Sequence, residues 1–177
     1  AVIVDASTPD ITGCDATDGT YGPADAVSIT CTYNEAVTVT GTPTVTLSNS
    51  DVASYASGSG STAIVFTTTV ATSDTASSDL SVSSIQPTAG GATMKDASTN
   101  AVSTAITGGD LGAVLIHTNT PDITGCDATD GAYGVAEAIS ITCTYNEAVT
   151  VTGTPTITLS NGDVASYASG TTSTSIV

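Results

Sequence analysis

The chain has no tryptophan, no arginine, one phenylalanine (Phe66), one lysine (Lys95) and one histidine (His117). Each scarcity excludes something. Seventeen Asp and Glu residues against one Lys leave a formal net charge of −16. Nucleic acid and anionic membrane are bound through Lys and Arg, so both are excluded as partners. No apolar run approaches the roughly 18 residues of a membrane-spanning helix, so no membrane insertion is expected. No window places apolar residues at i, i+3, i+4 and i+7, so amphipathic helices are not expected either. Six Tyr with no Trp is thin provision for stacking on sugar rings. His117 stands alone in sequence, and serines without a histidine partner make no catalytic triad. Lys95 reads as a solvated residue at a strand end; an isopeptide bond to Asn or Asp is the remote alternative. No N-glycosylation sequon is present. The chain opens on Ala1 without an initiator Met or a leader, as expected of mature or excised material.

What is there points to strands. Apolar residues make up 40% of the 177 positions, mostly Ala and Val. Ser and Thr supply about a third. Thr, Val, Ile and Tyr favour strands, and 17 Gly and 6 Pro punctuate them. The apolar positions alternate too cleanly for disorder despite the charge. The chain reads as all-β.

A long repeat organises it. "TPDITGCDATDG" begins at Thr8 and again, unchanged, at Thr120. A shift of 112 aligns residues 1–65 with 113–177, with 14 mismatches and 51 identities. Most mismatches are conservative, such as Val27 against Ile139, Val45 against Ile157 and Asp25 against Glu137. A period this long is a whole domain, not one turn of a solenoid. The expected organisation is a last strand of a preceding repeat over 1–5, a complete repeat over 6–117 and a second, truncated repeat over 118–177. The natural protein is expected to be longer, with this chain a window onto an array.

Within the repeat, "AVSITCTY" sets Val27, Ile29, Cys31 and Tyr33 on one face, a period of two. "AVTVTG" does so with Val37 and Val39, and "PTVTLSN" with Val45 and Leu47. Tyr55 centres a weaker strand. "AIVFTTTV" alternates Ile64, Phe66 and Val70. "DLSVSSI" carries Leu80 and Val82, and "NAVSTAI" carries Val102 and Ile106. Turn chemistry joins them at Asp18-Gly19, Gly41-Thr42-Pro43, Ser57-Gly58-Ser59-Gly60, Gly90-Gly91 and Gly108-Gly109. Seven or so short strands at steps of about ten residues predict a β-sandwich.

Cys14 and Cys31 lie 17 apart, as do Cys126 and Cys143. The midpoint of the first pair falls between Gly22 and Pro23, inside the turn-like "DGTYGPAD". Folding the chain there sets the two sulfurs opposite each other on adjacent strands. This favours a disulfide within each repeat over free core thiols. Without a CxxC pair or a His partner, the four thiols make a poor zinc constellation. Closing such a loop contributes roughly 3 kcal/mol in the chain-entropy picture. Paired disulfides imply an oxidising, extracellular setting.

The stretch "ITCTYNEAVTVTGTPTVTLSNSDVASYASGSGSTAIVFTTTV" resembles the tandem bacterial immunoglobulin-like repeats of large extracellular adhesins and surface array or filament proteins. "TMKDASTNAVS" resembles their "I-K-D-A-A-G-N-A" segment, and "VIVDASTPDI" resembles their domain junction. The likeness covers nearly the whole chain and is specific for the domain type. The resemblance implies tandem immunoglobulin-like β-sandwich repeats. This chain departs from the family in its cysteines and in His117, which stands where the junction has Asp.

"DATDG" is not an EF-hand loop, which needs D-x-D-x-D-G. The junction reading instead gathers Asp5, Asp10, Asp96 and Asn100, with Glu35 in the position of the family's "S-E", as a Ca²⁺ site between domains. Hard oxygen ligands suit that ion. The plainer alternative is that these acids are solvated turn residues capping backbone groups. The function expected is a structural, non-enzymatic module of a secreted surface protein, either an adhesin stalk or an extracellular filament subunit. Its partners would be neighbouring repeats and copies of itself, with Ca²⁺ the one cofactor in view. The alternative from another class is a carbohydrate-binding or enzyme-accessory β-sandwich domain.

Overall fold

The computed structural model describes residues 4–177. The leading strand expected over 1–5 lies mostly outside them, and Val4 and Asp5 belong to no strand. The chain divides into two compact units, the first ending at Asn119 and the second running Thr120–Val177.

Among the described residues the first unit has nine strands: β1 (Ile11–Ala16), β2 (Gly19–Tyr21), β3 (Ala26–Thr40), β4 (Thr44–Leu47), β5 (Val52–Ser57), β6 (Ser61–Thr69), β7 (Val82–Gln86), β8 (Thr93–Lys95) and β9 (Val114–Ile116). The one helical element among the described residues is a 3₁₀ turn at Ala89–Gly91. The main sheet has the order β1-β3-β6-β5-β4-β7, with β8 attached to β3. Its strand pairs are antiparallel, whereas β2 and β9 form a separate parallel pair. The fold is all-β, and its curled sheet is in keeping with a β-sandwich.

Strand β3 organises the unit. The sequence suggests two strands here, but the structure has one of 15 residues. Its first part pairs with β1 on one side and β6 on the other. The register against β6 slips between Thr32 and Val37, and beyond the slip β3 pairs with β8. One strand thus serves two parts of the curled sheet. Period-two alternation persists throughout: Val27, Ile29, Cys31, Tyr33, Val37 and Val39 are all buried. That apolar stripe meets Ile64 and Phe66 of β6, and Val45 and Leu47 of β4, in a single core. Later residues close the core: Leu80, Val82, Ile85, Leu111, Val114 and Ile116 are at most 5% exposed. Burying each such side chain stabilises by about 1.5–3 kcal/mol.

Two local features explain the chain's punctuation. Gly58 sits at φ +103, where a Cβ would lie 2.1 Å from the Ala63 carbonyl oxygen, so no other residue fits this turn. Gly170 repeats the feature, at φ +110 and 2.2 Å from the Ser175 oxygen. The expected strand around Val102 and Ile106 is absent; only an isolated bridge joins Ala101 to Lys95. The backbone hydrogen bonds explain why: the Val102 N–H donates to Met94 O and the Ser103 N–H to Pro9 O. Successive donors serve different neighbours, so no ladder forms. Val102 is buried all the same, and Ile106 packs against the core.

The second unit contains β10 (Ile123–Ala128), β11 (Ile141–Val149), β12 (Thr156–Thr158), β13 (Val164–Ser166) and β14 (Ser173–Ile176). They form a three-stranded sheet, β10-β11-β14, and a two-stranded one, β12-β13. Cys143 is its one buried residue.

Tyr33 gives a sharp test of the core. It is 2% exposed, and its hydroxyl is buried with no hydrogen-bond partner. Desolvation pushes its pKa well above the ordinary tyrosine value. An unsatisfied buried hydroxyl costs about 1–3 kcal/mol. Tyr33→Phe is therefore expected to leave stability unchanged or raise it in denaturant titrations. Phe66→Ala, at a fully buried site, is expected to cost about 3–5 kcal/mol. A Tyr33→Phe loss as large as that of Phe66→Ala would contradict this core.

Candidate functional site

The cysteines form two disulfides, Cys14–Cys31 and Cys126–Cys143, each with a Cα–Cα distance of 4.0 Å. No free cysteine remains among the described residues. Each bond joins residues directly opposite in an antiparallel pair, β1 to β3 and β10 to β11. Each pair also carries the same irregularity, between Ile11 and Gly13 in one and between Ile123 and Gly125 in the other. The staple therefore ties neighbouring strands of one sheet.

Asp18 and Asp25 brace the backbone. Asp18 Oδ1 accepts from the Ala113 N–H at 2.8 Å, holding the approach to β9. The Asp25 carboxylate accepts from Gly22 N–H at 2.8 Å. Glu137, its counterpart by the 112-residue shift, accepts from Gly134 N–H in the same way. The longer acid thus keeps the same cap. The Asp10 N–H donates to Asn34 Oδ1, as Asp122 N–H does to Asn146 Oδ1.

Three carboxylates come together differently. Oxygens of Asp5, Glu35 and Asp96 lie within 4.8 Å of one another. Each arrives from a separate part of the first unit: the leading segment, the middle of β3 and the turn after β8. Asp96 is 6% exposed. Its two oxygens accept from the Asn100 backbone N–H and side-chain Nδ2, both at 2.7 Å. Asn100 Nδ2 also lies 3.3 Å from the Asp5 carbonyl oxygen, and Ser98 Oγ donates to Asp5 Oδ2 at 3.1 Å. Thr99, at φ +74, shapes the turn. Glu35 Oε1 is buried with no hydrogen-bond partner.

Of the five residues expected to meet, Asp5, Glu35 and Asp96 share one cluster. Asn100 braces two of them as a hydrogen-bond donor. Asp10 stands outside the three, within electrostatic reach of Glu35. Sequence reasoning missed Ser98, whose place inside "KDASTN" is the only signal it carried. Among the rest, Lys95 is exposed at the end of β8, and the His117 N–H donates to Tyr21 O at 2.9 Å.

The cluster's electrostatics are those of crowded acids. The Glu35 carboxyl is held above the ordinary carboxylate range, chiefly by desolvation, then by the charges of Asp5, Asp96 and Asp10. Oxygens at this spacing suit a hard divalent cation, which takes six to eight of them at about 2.3–2.6 Å. No known protein family, curated protein or solved structure matches the chain.

The raised Glu35 pKa fixes the sign of a pH effect. The folded chain keeps this proton at pH values where the unfolded chain has lost it. Its contribution to stability therefore falls as pH rises from the ordinary glutamate value through the raised one. Without divalent cations, wild type is expected to lose stability relative to Glu35→Gln across that window. Parallel stability–pH curves for the two proteins, measured in chelator, would contradict the crowding of Glu35.

Proposed function

We propose that this chain is a structural, non-catalytic module of a secreted surface protein, composed of tandem immunoglobulin-like repeats with a period of 112 residues. Its work is to space and stiffen, as a stalk segment of an adhesin or as a subunit of an extracellular filament. The observation that carries this reading is the recurrence of one stapled hairpin. Cys14 faces Cys31 and Cys126 faces Cys143 at the same register, in stretches identical at 51 of 65 positions. A catalytic or ligand-binding site is seldom written twice in one chain; a load-bearing unit needs repetition.

Three further features support it. The disulfides suit an oxidising environment outside the cell. The charge of −16 keeps copies apart in low salt and lets cations bring them together. Asp5, Glu35 and Asp96 offer Ca²⁺ a set of carboxylates at the start of the first unit. Binding there would relieve the carboxylate repulsion that adds to desolvation in raising the Glu35 pKa, and would couple the leading segment to β3 and to the turn after β8. Neighbouring repeats and further copies of the chain are the partners in this reading.

Electron microscopy of the purified chain, with millimolar Ca²⁺ and with chelator, tests it. Elongated or end-to-end assemblies that form or straighten with Ca²⁺ are expected, together with a higher melting temperature that Glu35→Gln abolishes. Compact monomers in both conditions, combined with binding to glycans on an array, would favour the carbohydrate-binding alternative and overturn the structural one.

A further inference from the structure

The two copies differ at few places, and one difference changes the chemistry of a turn. Where the first copy reads Leu47-Ser48-Asn49-Ser50-Asp51, the second reads Leu159-Ser160-Asn161-Gly162-Asp163. The first stretch joins β4 to β5 and the second joins β12 to β13. Their backbones are alike. The Ser50 N–H donates to Leu47 O at 3.0 Å, and the Gly162 N–H to Leu159 O at 2.9 Å. The Leu47 N–H donates to Asp51 O and the Leu159 N–H to Asp163 O, each at 2.8 Å. The Asp51 N–H donates to Asn49 Oδ1 at 3.2 Å, and the Asp163 N–H to Asn161 Oδ1 at 3.1 Å. Ser50 sits at φ +74 and Gly162 at φ +90. Glycine suits this left-handed conformation better than serine does.

The exchange also removes a Cβ beside an asparagine. The backbone nitrogen that follows an asparagine is placed to attack its side-chain carbonyl carbon and close a five-membered ring. A side chain on the following residue crowds that attack, and glycine leaves it open. A Cβ at Gly162 would meet nothing within 4 Å, so the surroundings leave room as well. The chain has six asparagines, and only Asn161 precedes a glycine. The Asp163 N–H donates to the oxygen on which negative charge develops as the ring closes. Asn161 Nδ2, the nitrogen that would leave, donates to Asp163 Oδ2 at 2.7 Å. The Gly162 N–H gives up its bond to Leu159 O when the turn opens locally, and turn openings cost little.

We propose that Asn161 is a site of spontaneous covalent modification, deamidation through a cyclic imide. The Gly162 N–Asn161 Cγ bond forms and the Cγ–Nδ2 bond breaks. Ammonia leaves, carrying the proton that Gly162 loses. Water, the one co-reactant, then opens the imide. Attack at Cγ gives aspartate; attack at the main-chain carbonyl carbon gives isoaspartate. Either product adds one carboxylate to a chain of formal charge −16. Isoaspartate also adds a carbon to the main chain between β12 and β13, where the register sets Ile157 opposite Ala165. The change runs one way, so this turn records the age of the chain, and its Ser50 counterpart does not.

The test incubates the 177-residue chain in mildly alkaline buffer at body temperature and follows each asparagine by mass spectrometry of its peptides. Asn161 is expected to convert at least about tenfold faster than Asn49, since Gly162 lacks the Cβ that Ser50 carries. Isoaspartate is expected to be the main product, and the rate to rise with pH because the attacking nitrogen must lose its proton. Gly162→Ser is expected to slow Asn161 to the pace of Asn49; Ser50 in the matching turn shows that serine folds there. Asn161 remaining intact while an unfolded peptide of residues 157–166 converts would overturn the proposal. So would Asn49 converting as fast as Asn161, or a rate that Gly162→Ser leaves unchanged.

Discussion

The structure depends on one constraint: the odd-numbered stripe of β3 must be covered. Val27, Ile29, Cys31, Tyr33, Val37 and Val39 lie on one face of a single 15-residue strand. None is large except Tyr33, and the chain has only one Phe and no Trp to fill space. A core of Val, Ile and Leu buries enough surface only when layers close from several directions. The curl of the main sheet, the register slip after Thr32 and the late arrival of β7 and β9 all serve that end. The disulfide adds a different kind of order: it ties β1 to β3 at Cys31, within the stripe, and thereby holds the register.

The same constraint separates the two units. Their hairpins share a staple, a bulge and nearly all of their residues. What differs is the cover. Where residues 66–117 close the first core, side chains are at most a few per cent exposed; in the second unit the corresponding stripe lines an open cleft. The acidic cluster obeys related physics on the polar side. Three carboxylates from distant segments converge because β3 carries Glu35 toward the turn that holds Asp96, and the resulting crowding is what a cation would relieve.

Much of this was legible in the sequence because alternation is a local signal. The stripe from Val27 to Val39, the Gly58 turn and the facing cysteines follow from spacing alone. The carboxylate set was legible in part. Asp5, Glu35 and Asp96 meet, but Asp10 stays outside, because its backbone is drawn to Asn34 rather than its side chain to Glu35. What was illegible depends on distant partners. Strand β2 is three residues long and exists through a parallel partner some ninety-five positions away. The single long β3 read as two strands, because a bend at a register slip leaves no mark on alternation. Val102 looked like a strand residue; its pattern was right for burial and uninformative about where each N–H would go.

Residues 29–44 and 141–156 spell the same sixteen letters, so the chain carries its own control. Hydrogen exchange on the dilute 177-residue chain compares them directly. The account predicts that amides of Ile29 to Tyr33 exchange on the order of a hundredfold or more slowly than those of Ile141 to Tyr145, since local opening tracks burial and cover. Equal protection in the two copies would contradict the claim that cover by residues 66–117 makes the first unit a closed domain.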